Sequence, residues 1–142
     1  MSDVFKPYPL EDDLKMAALI LGGLPASVVK RIGVFLRIRA TKVASIVRIS
    51  EKTLDRRLKS GTRLKPDESG RIARLMRIIQ LAVSALESED NARQWLQRPL
   101  RELGGQTPLE LNGAGIARGR AGLGPHRAWD LCLIAVDSAA SR

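Results

Sequence analysis

Residues 41–59 read TKVASIVRISEKTLDRRLK, and this stretch decides the fold. Its apolar residues follow helical spacing on both sides of a short interruption, which predicts two short helices joined by a tight turn at Ile49. The positions expected to face inward are Val43, Ala44, Val47, Leu54 and Leu58. Such a pair of helices leaves the polar side of the second helix exposed.

The ends of these two helices carry their own signals. Thr41 is expected to cap the first helix, and the Ser50 hydroxyl is expected to bind the free amides at the start of the second. Glu51 favours the positive end of that second helix. Arg48 lies where turns of this kind often have glycine, and a positive φ there costs a non-glycine residue about 1 kcal/mol.

A helix-turn-helix with an exposed polar face has the geometry that fits the DNA major groove. Lysine and arginine side chains on that polar face can bind phosphate or guanine, and a threonine hydroxyl can form a hydrogen bond with a base or a phosphate. The expected DNA-contacting residues are Thr41, Ser50, Lys52, Thr53, Arg56, Arg57 and Lys59. The alternative is a solvated charged helix in an ordinary bundle.

The positive charge of the chain is concentrated around this motif. The 142 residues carry a net charge of +9, whereas the segment from Lys30 to Arg77 has 15 basic and four acidic residues. That segment therefore holds +11 and the rest of the chain −2. A local excess of this size predicts an anionic partner, double-stranded DNA first of all. A basic surface kept for solubility would scatter its charges instead.

Composition argues against several other classes of protein. One His and one Cys give too few ligands for zinc and no intrachain disulfide, so we expect no metal site, no cofactor and a reducing cytoplasm. The longest apolar run, MAALILGGL from Met16, is too short to cross a bilayer, and no basic segment precedes it as in a secretory signal. No carboxylate pair lies near a glycine-rich loop, which argues against an enzyme.

The remaining segments predict an all-α fold. Residues 1–9 suggest an extended arm because of two prolines, and Leu14–Leu21 suggests a helix closed by Gly22 and Gly23. Another helix begins near Pro25, a long one follows LKPDES, and a short one spans DNARQWL. The expected parts are an arm and first helix (1–25), a helix-turn-helix domain (26–64), a small helical domain (65–111) and an atypical tail (112–142).

Residues 92–111, ARQWLQRPLRELGGQTPLEL, suggest a helix corner. Trp95 and Leu96 can anchor a helix that Pro99 ends, and paired glycines then permit a sharp return. Thr107 can cap a further helix whose first position is Pro108, where a missing amide does no harm. Spacing alone favours a corner that merely closes the core.

These residues, with ISEKTLDRRLKSG (49–61) and RLKPDESGRIARL (63–75), resemble the Xre/ParS/MbcA antitoxins. The resemblance covers roughly residues 26–111. In residues 92–111 the positions that match the family are Ala92, Trp95, Leu96, Pro99, Leu103, Gly104, Gly105, Thr107, Pro108 and Leu109.

The resemblance implies a type II antitoxin whose partner is a RES-domain toxin that consumes NAD. It implies a homodimer that represses its own operon through the helix-turn-helix, with catalysis in the partner. It also implies that toxin binding and dimerisation involve Trp95, Leu96, Pro99, Leu103, Gly104, Gly105, Thr107, Pro108 and Leu109.

After Leu111 the family pattern stops, and glycines become frequent. Residues Gly119 to Ala135 can be encoded by a nucleotide string that, read one base later, gives VEPVLGRIEHGIYA and a stop. This recovers a family tail of the form V-x-x-x-L-x-R-I-E-H-G. We therefore hypothesise a frameshift near Asn112 that impairs neutralisation and spares DNA binding; natural divergence of the tail is the alternative.

The sequence is also compatible with two other functions. A stand-alone helix-turn-helix regulator has no toxin partner, and an adjacent RES-domain gene would argue against it. A basic protein that binds membrane surfaces would carry bulky exposed apolar groups on its basic face, whereas the apolar residues here have the helical spacing of a buried core.

Overall fold

The computed structural model describes residue 5, residues 8–10 and residues 12–113. Within that part every regular element is a helix and no strand is formed, apart from one isolated bridge between Pro25 and Arg63, which confirms the all-α prediction. The helices are α1 (Asp13–Gly22), α2 (Ser27–Leu36), α3 (Ala40–Ile46), α4 (Glu51–Ser60), α5 (Pro66–Leu86), α6 (Glu89–Leu96) and α7 (Pro108–Gly113), with a 3-10 turn at Arg101–Leu103.

Helix α5 is the central element of the fold. Pro66 lies in its first turn, where an absent amide hydrogen costs nothing. The Glu68 carboxylate accepts a hydrogen bond from the amide of Lys65 at 2.9 Å and so caps the start of the helix. It packs against α1, α6 and α7, while α2 packs on α3 and α3 on α4. Ile72, Leu75 and Ile79 on α5 are fully buried, as their spacing predicts.

The first two helices are fixed by local rules and by one close backbone approach. Asp12 caps α1 by accepting from the amide of Lys15 at 3.0 Å. Gly23 ends the helix with a φ of 85°, and the next residue, Leu24, accepts a hydrogen bond from the amide of Leu64 at 2.9 Å. The link between α1 and α2 is therefore held against the link between α4 and α5.

The N-terminal arm packs on the core at Phe5, which is fully buried. Its ring meets Phe35 edge to face with centroids 6.4 Å apart, and the Arg31 guanidinium lies 5.9 Å from its centre. The amide of Tyr8 donates to the Phe5 carbonyl at 2.8 Å, so this part of the arm makes a turn rather than running fully extended. Burial raises the pKa of the Tyr8 phenol, against the opposing effect of the Arg31 and Arg63 cations.

Helix α6 is tied to α2 through the carbonyl groups at the C-terminal end of α2. Helix α2 ends at Arg37 in a left-handed conformation, with φ 59°. Arg93 Nε donates to the Phe35 carbonyl at 2.6 Å, and Gln97 Nε2 donates to the Leu36 carbonyl at 3.0 Å. Side chains of α6 thus satisfy acceptors that the end of a helix leaves open.

One core joins the predicted helix-turn-helix and C-terminal parts, since buried residues from Phe5 to Leu109 form one cluster. Helix α7 touches α3 as well as α5 and α6. The predicted boundary at residues 64 and 65 falls just ahead of α5. The hypothesis on the tail concerns residues that lie almost entirely outside the described part.

The sharpest test of this packing is a pair of adjacent glycines. A Cβ at Gly23 would lie 2.3 Å from the Leu64 carbonyl oxygen, whereas a Cβ at Gly22 would meet nothing within 4 Å. We expect Gly23→Ala to lower the free energy of unfolding by about 2–4 kcal/mol, because strain and a backbone clash add. Gly22→Ala is the matched control and should be neutral or stabilising by up to about 1 kcal/mol in urea unfolding. Equal effects of the two substitutions would contradict this packing.

Candidate nucleic-acid interface

Helices α3 and α4 form the predicted bihelical unit. Val43 and Ala44 are fully buried between them, and Ile49 is buried in the turn, where its amide donates to the Ala44 carbonyl at 2.8 Å. Arg48 has a φ of 60°, which confirms that a non-glycine residue takes the strained conformation here. Gly61 ends α4 in the left-handed conformation.

The N-terminal cap of α4 is formed as the sequence predicts. Ser50 Oγ accepts from the amide of Thr53 at 3.2 Å and donates to Thr53 Oγ1 at 2.8 Å. The Ser50 proton is therefore engaged, while the hydroxyl hydrogen of Thr53 remains able to donate to an outside acceptor. Of this pair, Thr53 is the residue suited to contact a ligand.

The predicted cap at Thr41 is wrong. Helix α3 begins one residue earlier, at Ala40, and Arg39 is its N-cap residue without any side-chain hydrogen bond. Thr41 instead lies in the first turn of the helix and is exposed. A threonine is a good cap in general, but Arg39 already has the extended conformation of an N-cap residue, so the helix starts before Thr41 is reached.

The outward face of α4 carries Lys52, Arg56 and Lys59, all exposed. Lys59 Nζ lies 3.0 Å from the Asp55 carboxylate, an exposed pair one helical turn apart. In the described part of the chain, Lys52 and Arg56 have no ion-pair partner. These two cations are one turn apart on the same face, directed away from the core residues Leu54 and Leu58.

Arg57 corrects the predicted set. It is only 6 % exposed, and its Nη1 donates to Glu68 Oε1 at the start of α5. It lies three residues after Leu54 and directly before Leu58, so helical geometry turns it toward the core. The three-residue spacing from Leu54 indicates a position that faces the core, whereas the charge of Arg57 alone suggests an exposed one.

Other cations of the basic segment are also used inside the molecule. Arg71 Nε donates to the Val47 carbonyl at 2.7 Å, Arg63 Nη1 to the Gly23 carbonyl at 3.0 Å, and Arg77 Nη2 to the Asp13 carboxylate at 2.6 Å. The charge count of this segment therefore overstates what it offers to a partner. The prediction did not include four exposed cations on or beside the bihelical unit, which are Arg37, Arg39, Lys42 and Arg48.

The predicted C-terminal site residues are mostly internal. Trp95, Leu96, Leu103, Pro108 and Leu109 are buried, which is the arrangement of a corner that closes the core. In the described part of the chain, the predicted residues that face outward are those of the turn itself: Pro99, Gly104 and Gly105 are exposed and Thr107 is half-buried.

The turn between α6 and α7 has a defined backbone. The amide of Gly105 donates to the Leu100 carbonyl at 2.9 Å, and the amide of Leu100 donates to the Gln106 carbonyl at 3.1 Å. Gly104 and Gly105 both have positive φ, at 68° and 84°. Thr107 Oγ1 then accepts from the amide of Glu110 at 3.1 Å, which confirms the predicted cap of the helix that starts at Pro108.

Two further findings bear on the chemistry of the described residues. No cluster of three or more His, Cys, Asp or Glu side chains among them has the arrangement of a metal site. Among the same residues, none of the helices combines the length and apolar character needed to span a bilayer.

Comparison with known proteins divides the chain at α5. Residues 15–77 match the antitoxin Xre-like helix-turn-helix domain, and residues 81–117 match the antitoxin Xre/MbcA/ParS C-terminal toxin-binding domain. The second match runs past Leu111, the residue after which the sequence pattern was thought to stop. Antitoxin Xre of Photorhabdus laumondii subsp. laumondii is 31 % identical over 102 residues, which cover 71 % of this chain and 69 % of that protein. The chain belongs to the Xre/MbcA/ParS family of antitoxins.

Proposed function

We propose that this protein is the antitoxin of a type II toxin–antitoxin system. Its C-terminal part binds and neutralises a RES-domain toxin that consumes NAD, and its helix-turn-helix represses its own operon as a homodimer in the cytoplasm. The protein itself carries out no catalysis. The observation that carries the DNA-binding half is the exposed, cationic face of α4, with Lys52 and Arg56 one turn apart on a capped helix.

The two cations and the Thr53 hydroxyl supply complementary contacts to a duplex. Lys52 and Arg56 provide charge for phosphates, and arginine also forms paired hydrogen bonds with guanine. Thr53 donates to a phosphate or base acceptor, because its own oxygen already accepts from Ser50. Arg48 in the turn and Lys42 on α3 flank this face and suit the adjacent phosphates.

The toxin-binding half rests on the match over residues 81–117. Because the family's apolar positions are largely buried, we propose that they hold the turn at residues 99–107 in shape, and that this turn and the following helix present the contact surface. A stand-alone regulator without a toxin remains the second candidate, supported by that same burial. Co-purification with the product of an adjacent RES-domain gene distinguishes the two.

The tail carries a separate proposal. It puts a change of reading frame near Asn112, whereas the toxin-binding match continues to residue 117 and the recoverable family tail begins at Gly119. In this proposal, His126, Trp129 and Cys132 were never selected as a site. A coding-strand sequence that cannot give the family tail in the next frame would remove the proposal.

Two adjacent arginines test the DNA interface. In a titration of the gene's own upstream duplex, Arg56→Ala should lower affinity, and the slope of log K against log salt should fall by about 0.9 for a lost phosphate contact. Its free energy of unfolding should change by less than about 0.5 kcal/mol, because Arg56 is exposed.

Arg57→Ala is the matched comparison. The substitution leaves the Glu68 carboxylate buried without its ion-pair partner and should lower the free energy of unfolding by about 3–5 kcal/mol. Below its unfolding temperature, its salt slope should equal that of the wild type. A reduced slope for Arg57→Ala, or an unchanged one for Arg56→Ala, would mean that the faces of α4 have been assigned wrongly.

Neutralisation tests the tail. Co-expressed with a cognate RES toxin, the present chain should restore growth poorly, whereas a version ending in VEPVLGRIEHGIYA should restore it fully. Both versions should bind operator DNA within about threefold of each other, since α4 is the same in both. Full rescue by the present chain would overturn the proposed impairment while leaving the DNA-binding half untouched.

A further inference from the structure

Two neighbouring helices end in a backbone conformation that suits glycine, yet both ends carry arginine. Arg37 ends α2 with a φ of 59°, and Arg48 follows α3 with a φ of 60°. Helix α4 ends in the same conformation at Gly61, with a φ of 71°, so the fold uses glycine for this purpose elsewhere. A left-handed backbone strains any residue that has a Cβ, and glycine avoids that strain. Arginine at these two positions thus has a conformational cost that glycine would not have.

The surrounding structure imposes this conformation on both arginines. After α2, the amide of Ile38 donates to the Gly33 carbonyl at 3.0 Å, and a Cβ at Gly33 would lie only 2.9 Å from the Ile38 carbonyl oxygen. After α3, the amide of Ile49 donates to the Ala44 carbonyl at 2.8 Å, and the Ile49 side chain is buried. In each case the amide that closes the helix belongs to the residue after the arginine, and this closure normally has glycine at the arginine's position. The strain is therefore part of the fold.

The side chains of Arg37 and Arg48 are exposed. In the described part of the chain, neither forms an ion pair or a side-chain hydrogen bond. Two half-buried arginines behave differently, because Arg71 and Arg93 each donate to a backbone carbonyl at the end of another helix. The guanidinium groups of Arg37 and Arg48 therefore do not contribute to the packing of the helices.

Strain by itself does not indicate a ligand. Helix α5 ends at Glu87 in the same left-handed conformation, with a φ of 52° and an exposed acidic side chain. A cation near the C-terminal end of a helix is also mildly stabilising without any partner. The case for a ligand at Arg37 and Arg48 depends on what surrounds them.

Both arginines lie in a region without acidic side chains. Residues 14–50 contain no Asp or Glu, and Arg39 and Lys42 at the start of α3 are exposed cations as well. After Arg48, exposed cations continue onto α4 with Lys52. Helix α3 has seven residues and is about 10 Å long, so the two arginines lie beyond its opposite ends. A partner that contacts both must be anionic over that whole span, as the backbone of a duplex is and a small anion is not.

We propose that Arg37 and Arg48 bind the phosphate backbone of the duplex, one beyond each end of α3, and that the strained conformation persists at both positions because these contacts need an arginine. The inference deepens the proposed function and rests on its DNA-binding half. It adds Arg37 to the contacts assigned above and extends the DNA-binding surface from α4 across α3 to the end of α2. It also implies that DNA affinity and stability oppose each other at these two positions.

Substitution by glycine removes the charge and the strain together. In a titration of the gene's own upstream duplex, the slope of log K against log salt should fall by about 0.9 for Arg37→Gly or Arg48→Gly and by about 1.8 for the double variant. Affinity for an unrelated duplex should fall by the same factor as affinity for the operator, because phosphates carry no sequence information. The melting temperature of each variant should stay level or rise by up to about 4 °C.

Two further variants separate charge from strain. Arg37→Gln removes the charge and keeps a Cβ in the left-handed conformation, so its salt slope should fall as in Arg37→Gly while its melting temperature stays at the wild-type value. Glu87→Gly is the matched control at the end of α5. It relieves the same strain and should raise the melting temperature without lowering the salt slope.

The contrary outcomes distinguish this inference from the proposed function. A wild-type salt slope in Arg37→Gly or in Arg48→Gly would overturn the inference and leave the contacts of α4 intact. A lower melting temperature with an unchanged slope would assign the arginines to the helix ends, and weaker toxin binding with an unchanged slope would assign them to an acidic protein surface; either result overturns it. If the wild-type chain forms no salt-dependent complex with the duplex, the DNA-binding half of the proposed function fails as well.

Discussion

The buried ion pair between Arg57 and Glu68 is the constraint on which the orientation of helix α4 depends. Burying two charges is expensive, and the geometry must recover that cost through further hydrogen bonds. Glu68 does so by also accepting from the amide of Lys65, so one carboxylate holds both α4 and the start of α5. This pair and the buried Leu54 side chain together set the rotation of α4 about its own axis. With Arg57 turned inward, Lys52 and Arg56 are necessarily turned outward.

Helix α5 carries that constraint to the rest of the molecule. The helix-turn-helix match ends at residue 77 and the toxin-binding match begins at residue 81, both inside this unbroken helix. Arg71 binds the Val47 carbonyl at the end of α3, whereas α6 and α7 pack on α5 as well. The two matched parts therefore share one helix and one core. Their relative placement follows from side-chain packing and not from a linker.

Apart from the cap at Thr41, sequence reasoning succeeded where the decisive contact lies within a few residues. The caps at Ser50 and Thr107 depend on neighbours in the chain, and these were predicted correctly. Arg57 was misplaced because its charge suggested an exposed residue despite the spacing from Leu54, and its partner, Glu68, belongs to another helix. No neighbouring residue indicates that Arg93 donates a hydrogen bond to the Phe35 carbonyl at the end of α2, 58 positions earlier in the sequence. Long-range pairs of this kind become visible only once the helices are packed.

The distribution of charge shows how the fold separates its surfaces. A count over Lys30 to Arg77 treats every cation alike, but Arg57, Arg71 and Arg77 all have carboxylate partners. What remains for a polyanion is set by geometry, through the exposed face of α4 and the turn before it. The exposed apolar side chains Leu14 and Leu21 lie on a different helix, α1, beside charges that are already paired. The fold thereby separates the cations that face solvent on α4 and in the turn before it from the arginines that join one helix to another.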